Sequence, residues 1–159
     1  MFQSILVAPT KFGRGRTPER SMESQMDQER FETSLKETVL VIDNDPAVGR
    51  IVELALERSG YRVMLVHDAE VGLRLAEEHR GQLDLLITDL IMPGMNGRRV
   101  AELICAEDAM VRVLFISGYT EDLLEEEDAD VEDAAFLRKP FTAKQLIAKV
   151  REVIHPEKA

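Results

Sequence analysis

In this 159-residue chain, four apolar segments are each followed by side chains that could bind a metal or a phosphoryl group. They comprise carboxylates, an amide, a hydroxyl and an ammonium group: Asp43, Asn44, Asp45, Asp89, Ser117 and Lys139. Clustered oxygen ligands suit Mg²⁺, which takes one or two carboxylates together with waters and phosphate oxygens. A carboxylate can also attack phosphorus to form an aspartyl phosphate, and hydroxyl and ammonium groups can bind the phosphoryl oxygens. These residue types predict Mg²⁺-dependent phosphoryl chemistry, provided that the fold brings them together.

The apolar segments have the pattern of buried strands in a parallel sheet. Five strands are predicted at 39–42, 61–66, 83–88, 111–116 and 134–137. Apolar residues at helical spacing fill the intervals and predict helices at 46–58, 70–79, around 100–104, at 120–130 and at 146–154. Strict alternation of strand and helix indicates an α/β fold, a doubly wound parallel sheet of five strands with helices on both faces. Ligands of such sheets bind beyond the carboxyl ends of the strands, so the polar residues are expected to converge there.

Composition excludes several classes of function. The net charge is −10, from 20 basic and 30 acidic residues, and tryptophan is absent. Direct DNA binding by the main body needs clustered Lys and Arg and is not expected. Apolar runs fall short of the ~20 residues that span a bilayer, so no membrane segment is expected. Cys105 is the single cysteine, which excludes an internal disulfide and a cysteine zinc site and favours a reducing, cytoplasmic setting. The histidines His67, His79 and His155 show no metal-ligand spacing and are expected at the surface.

Three regions are predicted along the chain. Residues 1–37 contain early glycines and a proline and few apolar residues, which predicts a flexible N-terminal arm with at most one solvated helix. Residues 38–155 hold all the predicted strands, and 156–159 form a short C-terminal tail. No output domain is expected, and neither the oligomeric state nor the function of the arm follows from the sequence.

Four motifs, each at a strand end and in a fixed order, add a family resemblance. They are VLVIDNDP (39–46), LLITDLIMPGMNG (85–97), VLFISGYT (113–120) and FLRKPF (136–141). Residues 38–155 resemble the receiver domain of two-component response regulators, and the ISGYT and FLRKPFT forms are similar to receivers associated with hybrid sensor histidine kinases. The resemblance implies the flavodoxin-like strand order 2-1-3-4-5.

The resemblance also implies a phosphorelay function. Asp89 would be the phosphoacceptor, receiving its phosphoryl group from a histidine kinase or a histidine phosphotransfer protein. Asp43, Asn44, Asp89 and the backbone carbonyl of Ile91 would hold Mg²⁺. The domain would not be an enzyme acting on other substrates. It would catalyse only its own phosphoryl transfer and slow dephosphorylation, and it would signal to a downstream protein through a changed binding surface.

Further residues match the positions of a receiver domain that respond to phosphorylation. Ser117 and Lys139 would bind the phosphoryl group, and the Lys139–Pro140 peptide bond would be cis. Phe136 stands where receivers have the aromatic switch residue. Phosphorylation would draw Ser117 inward and free the space into which Phe136 turns. A plain core aromatic is the alternative for Phe136, since Phe in strands is usually packing.

One departure from the family pattern concerns the metal. Receivers usually have two adjacent acids after the first strand, and here the second is Asn44, which offers an oxygen but no charge. A unit charge at ~4 Å is worth about 1–4 kcal/mol between water and a protein surface. We therefore predict Mg²⁺ affinity weaker by roughly tenfold to several-hundredfold than with Asp. Asp45 could compensate in part.

The positions that line the path of hydrolytic water in the family are Ile91 and Tyr119 here. Both are bulky, and neither is an acid or amide able to orient water. This predicts slow self-dephosphorylation.

Two other functions remain open at the level of sequence. A pseudo-receiver, folded alike but used only for protein binding, gains support from Asn44 and predicts no metal-dependent acyl phosphate. A haloacid-dehalogenase-like phosphatase is suggested by Asp43-x-Asp45 after an apolar strand, with Ser117 and Lys139 later. Against it, the motif at Asp89 falls between the first two motifs of that family, and no paired acid follows a strand after Lys139.

Overall fold

The structure is a computed structural model that describes residues 36–118 and 134–157. These residues belong to one compact unit that begins at Lys36. Four sequence predictions fall partly or wholly outside the described residues: the arm at 1–37, the helix at 120–130, the position of Tyr119, and the end of the C-terminal tail.

The described residues form a five-stranded sheet in which every neighbouring pair of strands is parallel. Its order is β2-β1-β3-β4-β5, which confirms the predicted fold class and the implied strand order. The strands are β1 (Thr38–Ile42), β2 (Arg62–Val66), β3 (Leu85–Asp89), β4 (Arg112–Ser117) and β5 (Ala135–Arg138).

Four helices lie within the described ranges: α1 (Pro46–Arg58), α2 (Ala69–Glu78), α3 (Gly97–Glu107) and α4 (Ala143–Ile154). Each begins after a residue whose side-chain oxygen accepts a hydrogen bond from the first turn, which satisfies amide groups that have no partner within the helix. These N-cap residues are Asp45, Asp68, Asn96 and Thr142. None of the described helices is both long and apolar enough to cross a membrane.

Two hydrophobic clusters, one on each face of the sheet, pack the strands against the helices. Alternate residues of β1 point to opposite faces: Val39 and Val41 belong to a cluster with Leu56 of α1 and Leu146 of α4. Leu40 and Ile42 belong to the cluster that includes α2 and α3. All of β1 is buried, as its continuous apolar run predicts. These two clusters pack the helices against both faces of the sheet, so the strands that end at its carboxyl edge are held in place.

Strand limits differ from the predicted limits by one or two residues. Leu83 is buried but precedes β3, which begins at Leu85, where pairing with Val39 begins. At the other end Asp89 pairs with Ile116 and is the last residue of the strand. The apolar runs of the central strands β1, β3 and β4 are buried, whereas the edge strands β2 and β5 are only partly buried. Ladder pairing decides where each strand ends.

Candidate functional site

The register of the sheet brings the predicted site residues to one edge. β1 and β3 are neighbours with Ile42 opposite Thr88, so the next residues, Asp43 and Asp89, follow at the same level. On the other side of β3, the Lys139 backbone N–H donates to the carbonyl of Ser117 at 2.9 Å, which extends the β4–β5 ladder beyond its last pair. Three loops therefore meet at the carboxyl ends of β1, β3 and β5.

Lys139 joins the two carboxylates. Its Nζ lies 2.8 Å from Asp89 Oδ2 and 3.6 Å from Asp43 Oδ2. The Asp43 side chain is 3% exposed and that of Asp89 is 12% exposed. Asp89 is thus the more accessible of the two acids, although it has the shorter contact with the ammonium group.

The carboxyl group of Asp43 is held in an unfavourable environment for its charge. Its Oδ1 accepts a hydrogen bond from the Asp45 backbone N–H at 2.9 Å. Burial raises the pKa of Asp43 above its ordinary value, with a smaller upward contribution from the Asp89 charge. The Asp45 N–H and the Lys139 charge lower the pKa but do not offset burial. A cation at this edge would therefore stabilise the charge that burial disfavours and that Lys139 alone does not offset.

Lys139 remains an ammonium ion in this environment. Burial lowers the pKa of Lys139, but the hydrogen bond to Asp89 and the charges of Asp43 and Asp89 outweigh it, so the pKa is raised overall. The group is therefore a permanent positive charge beside the acids at neutral pH. Such a charge can neutralise phosphoryl oxygens.

The two residues after Asp43 are weaker candidates for metal ligands than Asp43 itself. Asn44 is exposed and provides an amide without charge. Asp45 Oδ1 accepts hydrogen bonds from the N–H groups of Ala47 and Val48, at 3.0 and 3.4 Å, and so caps α1. This capping role makes Asp45 a poor substitute for a second acid at the metal position.

The turn after Asp89 folds back closely on the strand. Asp89 Oδ1 accepts a hydrogen bond from the Ile91 N–H at 3.1 Å, and the Gly97 N–H donates to the carbonyl of Leu90 at 2.9 Å. Ile91 is 47% exposed. A Cβ added at Gly97 would lie 2.1 Å from the Asp89 carbonyl oxygen, so this closure requires glycine.

Gly97→Ala is accordingly expected to lower the free energy of unfolding by about 2–3 kcal/mol, in the range of overpacked sites. It should also slow the phosphorylation of Asp89 that the family resemblance implies, by moving the Asp89 backbone. Gly81→Ala is the matched control. Gly81 has a φ of +81° with nothing within 4 Å of an added Cβ, so only backbone strain of about 1–2 kcal/mol is expected. Urea unfolding and a phosphorylation rate measure both effects. Equal rates in the two variants would contradict the predicted link between Gly97 and Asp89.

Ser117, Phe136 and Pro140 lie on or just after the last two strands, β4 and β5. Ser117 ends β4 and is buried. The Lys139–Pro140 peptide bond is cis. The Phe136 ring is 36% exposed and lies 5.3 Å from the ring of Phe115, measured between centroids, with the planes 31° apart. Phe136 is therefore a partly exposed edge-strand aromatic and not a plain core residue.

The donor set of this edge fits Mg²⁺. In residues 36–118 and 134–157, no three or more His, Cys, Asp and Glu side chains group as a metal site. Two carboxylates, an amide and a backbone carbonyl are hard oxygen donors, and one or two carboxylates are what Mg²⁺ usually takes from a protein. The buried charge of Asp43 supplies a further reason for a cation to bind.

His67 is the residue at this edge that the sequence reasoning left out. It directly follows β2, and its ring Nδ1 lies 2.9 Å from the backbone carbonyl oxygen of Asp43. The ring is exposed, as predicted. Considering the residue after every strand, including the second, would have drawn attention to it.

Comparisons with known proteins agree with this architecture. The family model described as the response regulator receiver domain matches residues 39–151. The sensor kinase CckA of Brucella abortus is 32% identical over 123 residues, 76% of this chain, and the chain spans only 13% of that kinase.

Solved structures give the same result. The receiver domain of the hybrid histidine kinase CckA has a TM-score of 0.63 at 32% identity, covering 72% of this chain and 96% of that one. A response regulator receiver protein from Sinorhizobium medicae has a TM-score of 0.69 at 25% identity, covering 78% of this chain and 98% of that one. With a family match over most of its length, this chain belongs to the response regulator receiver domains of two-component systems.

Proposed function

We propose that this receiver accepts a phosphoryl group on Asp89 from a histidine kinase or a histidine phosphotransfer protein, with Mg²⁺ as cofactor, in the cytoplasm. The observation that supports this most directly is the approach of Lys139 Nζ to both carboxylates, at 2.8 and 3.6 Å. An ammonium group in that place can neutralise phosphoryl oxygens next to the acid that attacks. The single cysteine supports the cytoplasmic setting.

The proposed reaction is a transfer between a phosphohistidine and a carboxylate. An Asp89 oxygen forms a bond to phosphorus while the P–N bond of the donor breaks. The electron pair of that bond stays on the imidazole of the donor, which takes up a proton. Lys139 neutralises charge on the transferring group, so that the chain contributes positioning and electrostatics.

Asp43 and Asp89, with the amide of Asn44 and the carbonyl of Ile91, would hold Mg²⁺. Bound there, the cation would balance the negative charge of the acids and the phosphoryl oxygens. The two acids beside one lysine support this assignment, because burial keeps the pKa of Asp43 raised despite the Lys139 charge.

The test uses the full chain with acetyl phosphate, which replaces the histidine donor by a small acyl phosphate. Intact mass is measured with Mg²⁺ and with excess chelator, and the modified residue is located by peptide mapping after borohydride reduction. A gain of one phosphoryl group on Asp89 that needs Mg²⁺ supports the proposal. No gain at saturating Mg²⁺ would favour a pseudo-receiver used only for protein binding.

We further propose that phosphorylation acts through Ser117 and Phe136. Ser117 would move toward the phosphoryl group, and Phe136 would turn from its exposed position into the space released. The partly exposed ring of Phe136 beside Phe115 supports this, since an exposed aromatic on an edge strand has room to change rotamer. The altered surface would then bind a downstream protein.

Asn44→Asp is expected to tighten Mg²⁺ binding by roughly tenfold, because a second acid adds attraction for the cation. Water around the exposed Asn44 keeps the gain toward the lower end of the range that a unit charge can provide. Calorimetric titration of Mg²⁺ into the wild type and the variant gives the ratio. Identical dissociation constants would show that the missing acid does not limit metal affinity.

The phosphorylated form is expected to decay slowly, over minutes or longer. Ile91 exposes nearly half of its surface beside Asp89 and cannot orient a water for attack; the second position, Tyr119, lies outside the described residues. Ile91→Asn should speed the decay, since an amide can hold a water. The loss of phosphorylated mass after donor removal measures both rates. A wild-type form that decays within seconds would refute the prediction.

A further inference from the structure

The side chain of His67, directly after β2, contacts the loop that follows β1 at Asp43. Since a carbonyl oxygen can only accept a hydrogen bond, Nδ1 of His67 must carry a proton and donate it to Asp43 O over their 2.9 Å separation. The neutral ring is therefore fixed as the Nδ1–H tautomer.

This contact completes the fixation of the Asp43 backbone. The Asp43 N–H donates to the carbonyl of Val66 at 3.1 Å, and its own carbonyl accepts from His67. Both peptide groups of Asp43 are thus tied to consecutive residues at the end of β2. With these groups held, the direction of the Asp43 side chain toward Lys139 is held too.

Gly49, in the first turn of α1, leaves room for the His67 ring. A Cβ built at Gly49 would lie 3.5 Å from His67 Cε1 and 2.9 Å from Leu65 Cδ1. The first turn of α1 therefore approaches the end of β2 closely, at a glycine. Any residue larger than glycine at position 49 would contact both the Leu65 side chain and the imidazole.

We propose that His67 is a positioning residue for Asp43 in binding Mg²⁺, an inference that rests on the function proposed above. His67 does not touch the metal or the phosphoryl group in this assignment. It acts through the Asp43 carbonyl, in the way that hydrogen-bond partners behind a metal ligand commonly tune affinity by 10–100-fold.

The test compares His67→Leu with His67→Asn in the full chain. Leucine removes the donor, whereas the asparagine amide offers an N–H near the place of Nδ1. Mg²⁺ titrations at pH 8 should show about tenfold weaker binding for His67→Leu. For His67→Asn, binding within about threefold of the wild type is expected. Urea unfolding measures the stability of both variants.

A second measurement uses the metal-free wild type and does not depend on any variant folding. Nitrogen NMR shifts of the His67 ring should identify the Nδ1–H tautomer; the Nε2–H tautomer would overturn the inference. So would equal Mg²⁺ affinity in the wild type and His67→Leu, or a failure of His67→Asn to restore affinity at unchanged stability. A wild type that binds no Mg²⁺ would overturn the proposed function itself, and this inference with it.

Discussion

Asp89→Asn is expected to take up no phosphoryl group from acetyl phosphate at any Mg²⁺ concentration. The amide keeps the shape of the side chain and an oxygen that can still accept the Ile91 N–H. It lacks the charge and the electron pair that form the new bond to phosphorus. Asp43 cannot take over, because its side chain is only 3% exposed and its Oδ1 accepts the Asp45 N–H.

Asp45→Asn is the matched control for that result. Asp45 lies at the same edge, but its Oδ1 caps α1, and an asparagine cap does this almost as well. Intact mass after a fixed incubation should show wild-type phosphorylation in Asp45→Asn and none in Asp89→Asn. Mg²⁺-dependent phosphorylation that survives in Asp89→Asn would assign the phosphoacceptor to another residue. It would also contradict the proposal that Lys139 neutralises a phosphoryl group on Asp89.

Most of the fold could be predicted because burial on both faces leaves a direct signal in the sequence. The apolar run before Asp43 corresponds to a strand that is entirely buried. Pro46 begins α1 and acts within one turn, so that start is visible locally. The strand order came from the family resemblance, since pairing between distant segments leaves no local signal.

The site was predictable in its residue types and only partly in its contacts. Asp43, Asp89 and Lys139 follow strand ends, which in a parallel sheet is enough to place them at one edge. The capping role of Asp45 and the donation from His67 to Asp43 depend on backbone geometry in loops. The residue type at a loop position does not determine where its side chain points, so these two roles could not be predicted from the sequence.

Asp43→Asn is expected to weaken Mg²⁺ binding and to stabilise the fold. Burial raises the pKa of Asp43, so the folded chain binds the proton more tightly than the unfolded chain does. The ionised carboxylate therefore lowers stability at neutral pH. Asparagine still accepts the Asp45 N–H and leaves the contact between Lys139 and Asp89 intact. The free energy of unfolding at pH 7 should rise by roughly 0.5–2 kcal/mol, the range of single stabilising substitutions.

The dependence on pH identifies the cause of that gain. Below the ordinary pKa of aspartate, the wild-type side chain is protonated in both states and the variant should have no advantage. The advantage should appear as pH rises toward the raised pKa of Asp43 and stay constant above it. Asp84→Asn is the control: Asp84 Oδ2 accepts the Thr38 N–H at 2.8 Å at the opposite end of the sheet, so no gain is expected.

Loss of metal affinity should accompany the gain in stability, because the same buried charge causes both. Removing one of two acids should weaken Mg²⁺ binding by about 100-fold or more, as judged from the Coulomb energy of a partly buried pair. Urea unfolding from pH 3 to 8 and Mg²⁺ calorimetry on the same samples measure the two effects. A variant that is less stable at pH 7 would mean that the Lys139 contact outweighs the burial of Asp43. Unchanged Mg²⁺ affinity would remove Asp43 from the proposed metal ligands.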